Sequence, residues 1–224
     1  MPDRPNVLVV LNDHNRSAAC RPGGDCQTPN LDRLAGDAVR FHRGYTTNAI
    51  CSPARASLMT GQFPSTHGVW DCTHTQRPTW VDVHDKPVFW AQRLQDAGYR
   101  TAYYGKWHVE QTNEPDRFGF AEYDHAAAGY KTTPVEGTRR THANPGYRDY
   151  YLGAVDAEAN GPAKHPAFER GIDFLRQAGE GDAPWCCVVS AAEPHDPYVP
   201  PKRFFDMYDP DTIALPDTLH AEEA

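Results

Sequence analysis

Two short, uninterrupted apolar runs constrain this chain more than any other feature. Asn6 to Leu11 reads NVLVVL and Trp185 to Ser190 reads WCCVVS. Runs of this length are too short for a core helix. Their β-branched content, with no polar alternation, predicts strands covered on both faces, as in a parallel sheet. Helix signals lie between them. Thr28 reads as an N-cap with Pro29 at the first helical position, ahead of an apolar stripe of Leu31, Leu34, Ala35 and Ala38. Ser52 and Pro53 repeat that start signal for a helix running to Thr60, where Gly61 can end it. Pro87 opens a third helix and Gly98 closes it; Arg100 to Tyr104 reads as a strand and Phe168 to Ala178 as a helix. Alternating strands and helices predict an α/β fold, a mainly parallel sheet sandwiched by helices.

With 224 residues, 39% of them hydrophobic, the chain can bury one sizeable core. Residues 110–164 are rich in Gly, Pro, Asn, Thr and Tyr and lack a clear period, which predicts a loop insertion of the kind that carries substrate selectivity. Residues 1–224 are otherwise read as one domain, and its last nine residues hold no recognisable closing element. A formal net charge of −8 and the lack of any sustained Lys/Arg run argue against nucleic-acid or anionic-membrane partners. The opening MPDRPNVLVVLNDHN has an apolar run of only five residues and no small-residue cleavage site after it, so a cytoplasmic location is expected. No stretch is long enough to cross a bilayer. Six cysteines at irregular spacing, with no CxxC pair, are expected to be reduced thiols in preference to disulfides or zinc ligands.

Sites in an open parallel sheet form beyond the carboxyl ends of the strands. Four polar features fall there on this reading: Asp13 with His14, Cys51 at a helix start, Lys106 with His108, and His195 with Asp196. Each alone has an ordinary explanation as a cap, a turn or a solvated charge. Cys51 precedes the free N–H groups of its helix, where negative charge is favoured, and Arg55 lies one turn on. From the residues alone, a thiolate of low pKa is the natural inference.

The segment CSPARASLMTG resembles the sulfatase signature, Cys-x-Pro-x-Arg followed by Leu-x-Thr-Gly, at Cys51, Pro53, Arg55, Leu58, Thr60 and Gly61. Around it, RPNVLVVLND resembles the opening strand and metal aspartate of that family, and TPNLDRLAGDAVRF its next helix. GKWH resembles its sulfate-binding Lys-x-His, and EPHDPYVPP its later histidine region. The resemblance runs in order from residue 4 to about residue 216 and implies a type I sulfatase of the alkaline phosphatase superfamily, seen as its N-terminal part.

That resemblance implies that Cys51 is oxidised by a maturation enzyme to formylglycine. Its hydrate would attack the sulfur of a sulfate ester with one hydroxyl and expel sulfate through the other. It implies further that Asp13, His14 and residue 51 ligate a divalent metal, Ca²⁺ first, with Mn²⁺ or Mg²⁺ as alternatives. Arg55 would fix the gem-diol, Lys106 would clamp sulfate, His108 would take the proton whose loss releases sulfate, and His195 would protonate the leaving alcohol or bind sulfate.

The chain departs from the family at three places. His14 stands where an acid or amide is usual, which opens the choice of metal. Val109 and Glu110 replace a Leu-Gly pair. No Ser-Asp-His-Gly-like or Ser-Asp-Asn-Gly-like segment follows Ser190, so the family's second half, with its remaining metal ligands, has no counterpart. A chain ending there is expected to expose sheet edges and to turn over little substrate alone. The competing readings are a phosphonate monoester or phosphodiester hydrolase of the same superfamily, a non-catalytic remnant, and a thiol enzyme using Cys51 with a histidine base. Trp70, Trp80, Trp107 and the tyrosines around Tyr147 to Tyr151 are candidates to line a pocket, with packing the ordinary alternative.

Overall fold

Strands β1 (Val7–Leu11), β2 (Arg100–Gly105), β3 (Glu122–Asp124) and β6 (Trp185–Ser190) form one parallel sheet in the order β1-β6-β2-β3. The computed structural model describes residues 4–21, 23–73, 88–129, 134–140, 150–155 and 165–214. Strand β6, last of the four in sequence, inserts between β1 and β2. It therefore brings the residues after Ser190 in beside those after Leu11 and Gly105.

Alternation along the central strands explains why the sheet is covered twice. Tyr103 and Val188 point into a cluster with Ala56, Met59, Phe89, Trp107 and Phe120, on the side of helices α2 (Cys51–Thr60) and α4 (Trp90–Asp96). Their neighbours Ala102, Tyr104, Cys187 and Val189 point the other way, against helix α5 (Pro166–Ala178). Ala167, Gly171, Phe174 and Ala178 recur at helical spacing along the buried face of α5. A β-carbon at Gly171 would come 2.5 Å from Val189 Cγ2, so the glycine lets the helix lie close on the sheet. The layered α/β fold with a parallel sheet is as the apolar runs predict.

Several local expectations are corrected. β1 is an edge strand among the described residues and alternates in burial, with Val9 packed on the core and Leu8 and Val10 about half exposed. The sequence run resembles that of β6, but position at the edge leaves one face open. Helix α1 (Pro29–Gly36) starts after Thr28 with Pro29 first, yet Thr28 makes no side-chain cap bond and the Leu31/Leu34 stripe is exposed. Helix α2 begins one residue before Ser52: Ile50 is the extended N-cap and Cys51 the first helical residue. Gly61, at φ 70°, ends it as expected. A short helix α3 (Pro64–His67) follows. Helix α4 begins at Trp90, where the Gln92 side chain accepts the Phe89 N–H; Pro87 lies outside the described residues.

The segment 110–164 is more structured than its composition implies. It contributes β3, paired to β2, and a hairpin of β4 (Pro134–Arg140) with β5 (Tyr150–Val155). That hairpin belongs to a second compact unit, residues 131–163 and 196–224, separate from the unit of residues 1–130 and 164–195. Within the second unit, Gly153 and Val155 donate to the carbonyls of Tyr198 and Pro200, ahead of helix α6 (Lys202–Phe205). No helix among the described residues is long and apolar enough to cross a membrane.

Gly105 closes β2 at φ 102°, and a β-carbon there would meet the Ser190 carbonyl oxygen at 2.0 Å. Gly61 has a similarly positive φ but open space around it. Gly61→Ala should therefore cost about 1–2 kcal/mol of stability from backbone conformation alone. Gly105→Ala should cost clearly more, because the strand end must also move; urea denaturation of the two variants measures the difference.

Candidate active site at the strand ends

Arg55 organises the carboxyl ends of the strands. It projects from the second turn of α2 and is 5% exposed. Its Nη1 donates to the Lys106 carbonyl at 2.7 Å and to Ser190 Oγ at 3.0 Å, with Tyr103 Oη at 3.3 Å. The same Lys106 carbonyl accepts from Tyr103 Oη at 2.6 Å and from Ser190 Oγ at 2.9 Å. Three donors from α2, β2 and β6 thus converge on one backbone oxygen. Burial holds the Tyr103 phenol above its ordinary pKa, so it remains a donor.

Asp13 follows β1 and is buried, 8% exposed. Its Oδ2 is ion-paired to Lys106 Nζ and lies 3.5 Å from Arg55 Nη2. Burial alone would raise its pKa, but the Lys106 contact and the Arg55 charge outweigh burial and hold the carboxyl below the usual carboxylate range. Two cations face one carboxylate here.

Cys51, half-buried at the first position of α2, lies 4.0 Å from Lys106 Nζ through its sulfur. Hydrogen bonds from Cys72 and His108, then the Lys106 charge, draw its thiol well below the ordinary range, against burial and the Asp13 charge. His108 reaches it from a left-handed backbone, φ 52°, an unusual conformation for a residue with a side chain.

The structure brings Asp13, Cys51, Arg55, Lys106, His108 and His195 to one end of the sheet. A cleft of about 420 Å³ opens over Asp13, Cys51 and Arg55, bounded by Tyr45 and Thr47, and a neighbouring recess reaches His14 and His195. Arg55 is engaged with the strand ends and Asp13, a buttress as much as a partner for residue 51.

Ligand atoms of Asp13, Cys51 and His195 lie within 4.8 Å of one another. Asp13 Oδ2 is buried and is balanced by the Lys106 ammonium, with Arg55 Nη2 at 3.5 Å. A carboxylate, an imidazole and residue 51 around one point fit part of the shell of a divalent cation. His14 is not in that group: it stands edge-on to the His195 ring, centroids 5.8 Å apart. His195 as a candidate ligand is a role that the sequence reading did not give it.

Other positions resolve differently. Trp107 is a core residue and Trp70 is about half exposed, while Trp80 and Tyr147 lie outside the described residues. Glu110 is buried and accepts from Trp107 Nε1 and from the backbone of Thr112 and Asn113, so it fixes the turn after GKWH. Cys186 and Cys187 are buried in β6 and, like the other cysteines, unbridged.

The lowered pKa of Asp13 sets a sign for pH dependence. A carboxyl whose folded pKa lies below its unfolded value of about 3.9 stabilises above that pH, and the contribution is lost as pH falls through the folded value. In metal-free protein, stability should fall on acidification below about pH 4. Asp13→Asn should be less stable at neutral pH and show a shallower acid limb; denaturant titrations across pH measure both.

The sulfatase family model matches residues 5–217. A choline-sulfatase of Rhizobium meliloti is 33% identical over 227 residues, covering 92% of this chain and 41% of the relative. An ulvan-active sulfatase of Formosa agariphila is 31% identical over 227 residues, covering 96% and 40%. Among solved structures, a phosphonate monoester hydrolase from Silicibacter pomeroyi superposes with a TM-score of 0.67 at 26% identity, covering 95% of this chain and 46% of that one. The chain spans about two-fifths of the length of the curated relatives it matches. With the signature helix, the strand-end constellation and a family match over nearly its whole length, the chain belongs to the sulfatase family.

Proposed function

We propose that the protein hydrolyses a sulfate ester, with residue 51 as the nucleophile in its formylglycine form, produced by a maturation enzyme. The observation that carries the reading is the meeting of Cys51, Lys106, His108 and Asp13 at one end of the sheet, with Arg55 buried beneath them. Thiol chemistry would draw on the Lys106 charge but gives no role to the buried Asp13 carboxylate, which opposes the thiolate.

The aldehyde hydrate would supply two hydroxyls on one carbon, one to attack sulfur and one through which sulfate leaves. Asp13, His195 and residue 51 would hold a divalent cation, Ca²⁺, Mn²⁺ or Mg²⁺, whose charge would favour the ionised hydroxyl and a sulfate oxygen. Lys106 Nζ, within reach of both residue 51 and Asp13, would bind a sulfate oxygen by charge-assisted hydrogen bonding. His108, which helps hold the Cys51 thiol below its ordinary pKa, would take the proton of residue 51. The buried hydrogen-bond hub at Arg55 keeps these groups from reorganising as charge develops.

The second reading, hydrolysis of a phosphonate monoester or phosphodiester, is supported by the likeness to the Silicibacter pomeroyi enzyme. Protein made with the maturation enzyme and assayed on a sulfate monoester and a phosphonate monoester with the same leaving group separates the two. The sulfate ester is expected to have the higher kcat/KM, and Lys106→Ala to lower it about 10²–10³-fold. Faster turnover of the phosphonate would move the assignment to the second reading.

A further inference from the structure

Beyond Ser190 the chain leaves the sheet, and its course to His195 is fixed by contacts with three other segments. The Ala191 N–H donates to the Leu11 carbonyl at 2.9 Å and the Ala192 N–H to the Ala128 carbonyl at 2.7 Å. Glu193 is held through both its backbone and its side chain. Its carbonyl accepts the Asp13 N–H at 3.3 Å, and its carboxylate Oε2 lies 2.8 Å from His165 Nε2. The His195 N–H then donates back to the Ala192 carbonyl at 3.1 Å, closing the turn. Gly129 leaves room for the carboxylate: a β-carbon there would stand 2.9 Å from Glu193 Oε1.

His165 is not among the groups that meet at residue 51. It is the N-cap of α5, and its Nδ1 accepts the Ala167 N–H at 3.2 Å. That bond leaves Nε2 as the nitrogen that carries the proton of the neutral ring, so the imidazole donates to Glu193. The His165 side chain is 9% exposed and its ring stands edge-on to Phe168, which fixes the direction of the donor. The bond therefore joins the helix on one face of the sheet to the turn that reaches the site built from the other face.

We propose that His165 is a positioning residue: through Glu193 it holds the turn that carries His195 to Asp13 and residue 51. Its effect on turnover rests on the sulfate-ester reading; its effect on the turn does not. A hydrogen bond to a charged acceptor is stronger than one between neutral groups. Without the donor, the Glu193 carboxylate turns to water, and the neighbouring bond from the Asp13 N–H opens more often.

Two variants separate the two bonds that His165 makes. His165→Asn can cap Ala167 through Oδ1 but is too short to reach Glu193, whereas His165→Gln can reach Glu193 through Nε2 but gives up the cap. Amide hydrogen exchange of the full chain, made without the maturation enzyme and read by NMR, reports each bond locally. In His165→Asn the Asp13 and His195 amides are expected to exchange about tenfold faster than in the wild type, with the Ala167 amide still protected. In His165→Gln the pattern should reverse. Unchanged Asp13 and His195 exchange in His165→Asn would overturn the proposal, as would equal acceleration in both variants, the mark of a merely structural role.

The matured protein, assayed on a sulfate monoester, supplies the functional arm. His165→Asn should lower kcat about tenfold with KM little changed, and His165→Gln should restore it. Faster exchange with unchanged kcat would overturn the role in turnover. A matured wild type that hydrolyses no sulfate ester would overturn the sulfate-ester reading and that role with it, while the exchange result still decides the positioning.

Discussion

A single buried guanidinium ties the strands of this protein to the helix that carries its signature. Arg55 reaches from α2 to the carbonyl that ends β2, to the hydroxyl that ends β6 and to the carboxylate that follows β1. Removing one member of a buried charged set typically costs about 3–5 kcal/mol, because the remaining charge is left without compensation. The geometry of the site is therefore inseparable from the packing of the sheet. The same residue that the signature places one turn after Cys51 holds together the three strand ends on which Asp13, Lys106 and the segment leading to His195 are mounted.

The electrostatics follow from that arrangement. Lys106 and Arg55 converge on the one Asp13 carboxylate, so the site carries a positive excess within a partly buried space. Such a space favours an anion. Residue 51 sits at its edge, at the start of a helix whose free N–H groups add to the same field. A sulfate ester, a phosphonate ester and a thiolate all meet this field favourably. The acid–base partners and the candidate metal ligands around residue 51, and not the field alone, support the hydrolytic reading.

Much of this was legible from residues alone, and the gaps have physical causes. The runs VLVVL and WCCVVS mark strands in either case, but burial depends on position in the sheet. β6 is central and enclosed, whereas β1 has an open edge that leaves Leu8 and Val10 partly exposed. The Leu31/Leu34 stripe predicts a helix correctly without deciding whether anything covers it. Cys51, Arg55, Lys106 and Asp13 declare themselves through motif spacing. The contribution of Ser190 and Tyr103 to the Arg55 hub and the approach of His195 to Asp13 and Cys51 depend on contacts between distant segments. No local period encodes those. Strand β3 escaped notice because three residues, Glu122–Asp124, pair in the sheet without any apolar run to mark them.

The central claim is that residue 51 works as an aldehyde in this charge cluster and not as a thiol. The most direct measurement is the mass of the tryptic peptide Gly44–Arg55 from reduced protein produced aerobically with the maturation enzyme. The account predicts the mass of the peptide with an aldehyde, or its hydrate, in place of the Cys51 thiol. An unmodified thiol under those conditions would contradict it.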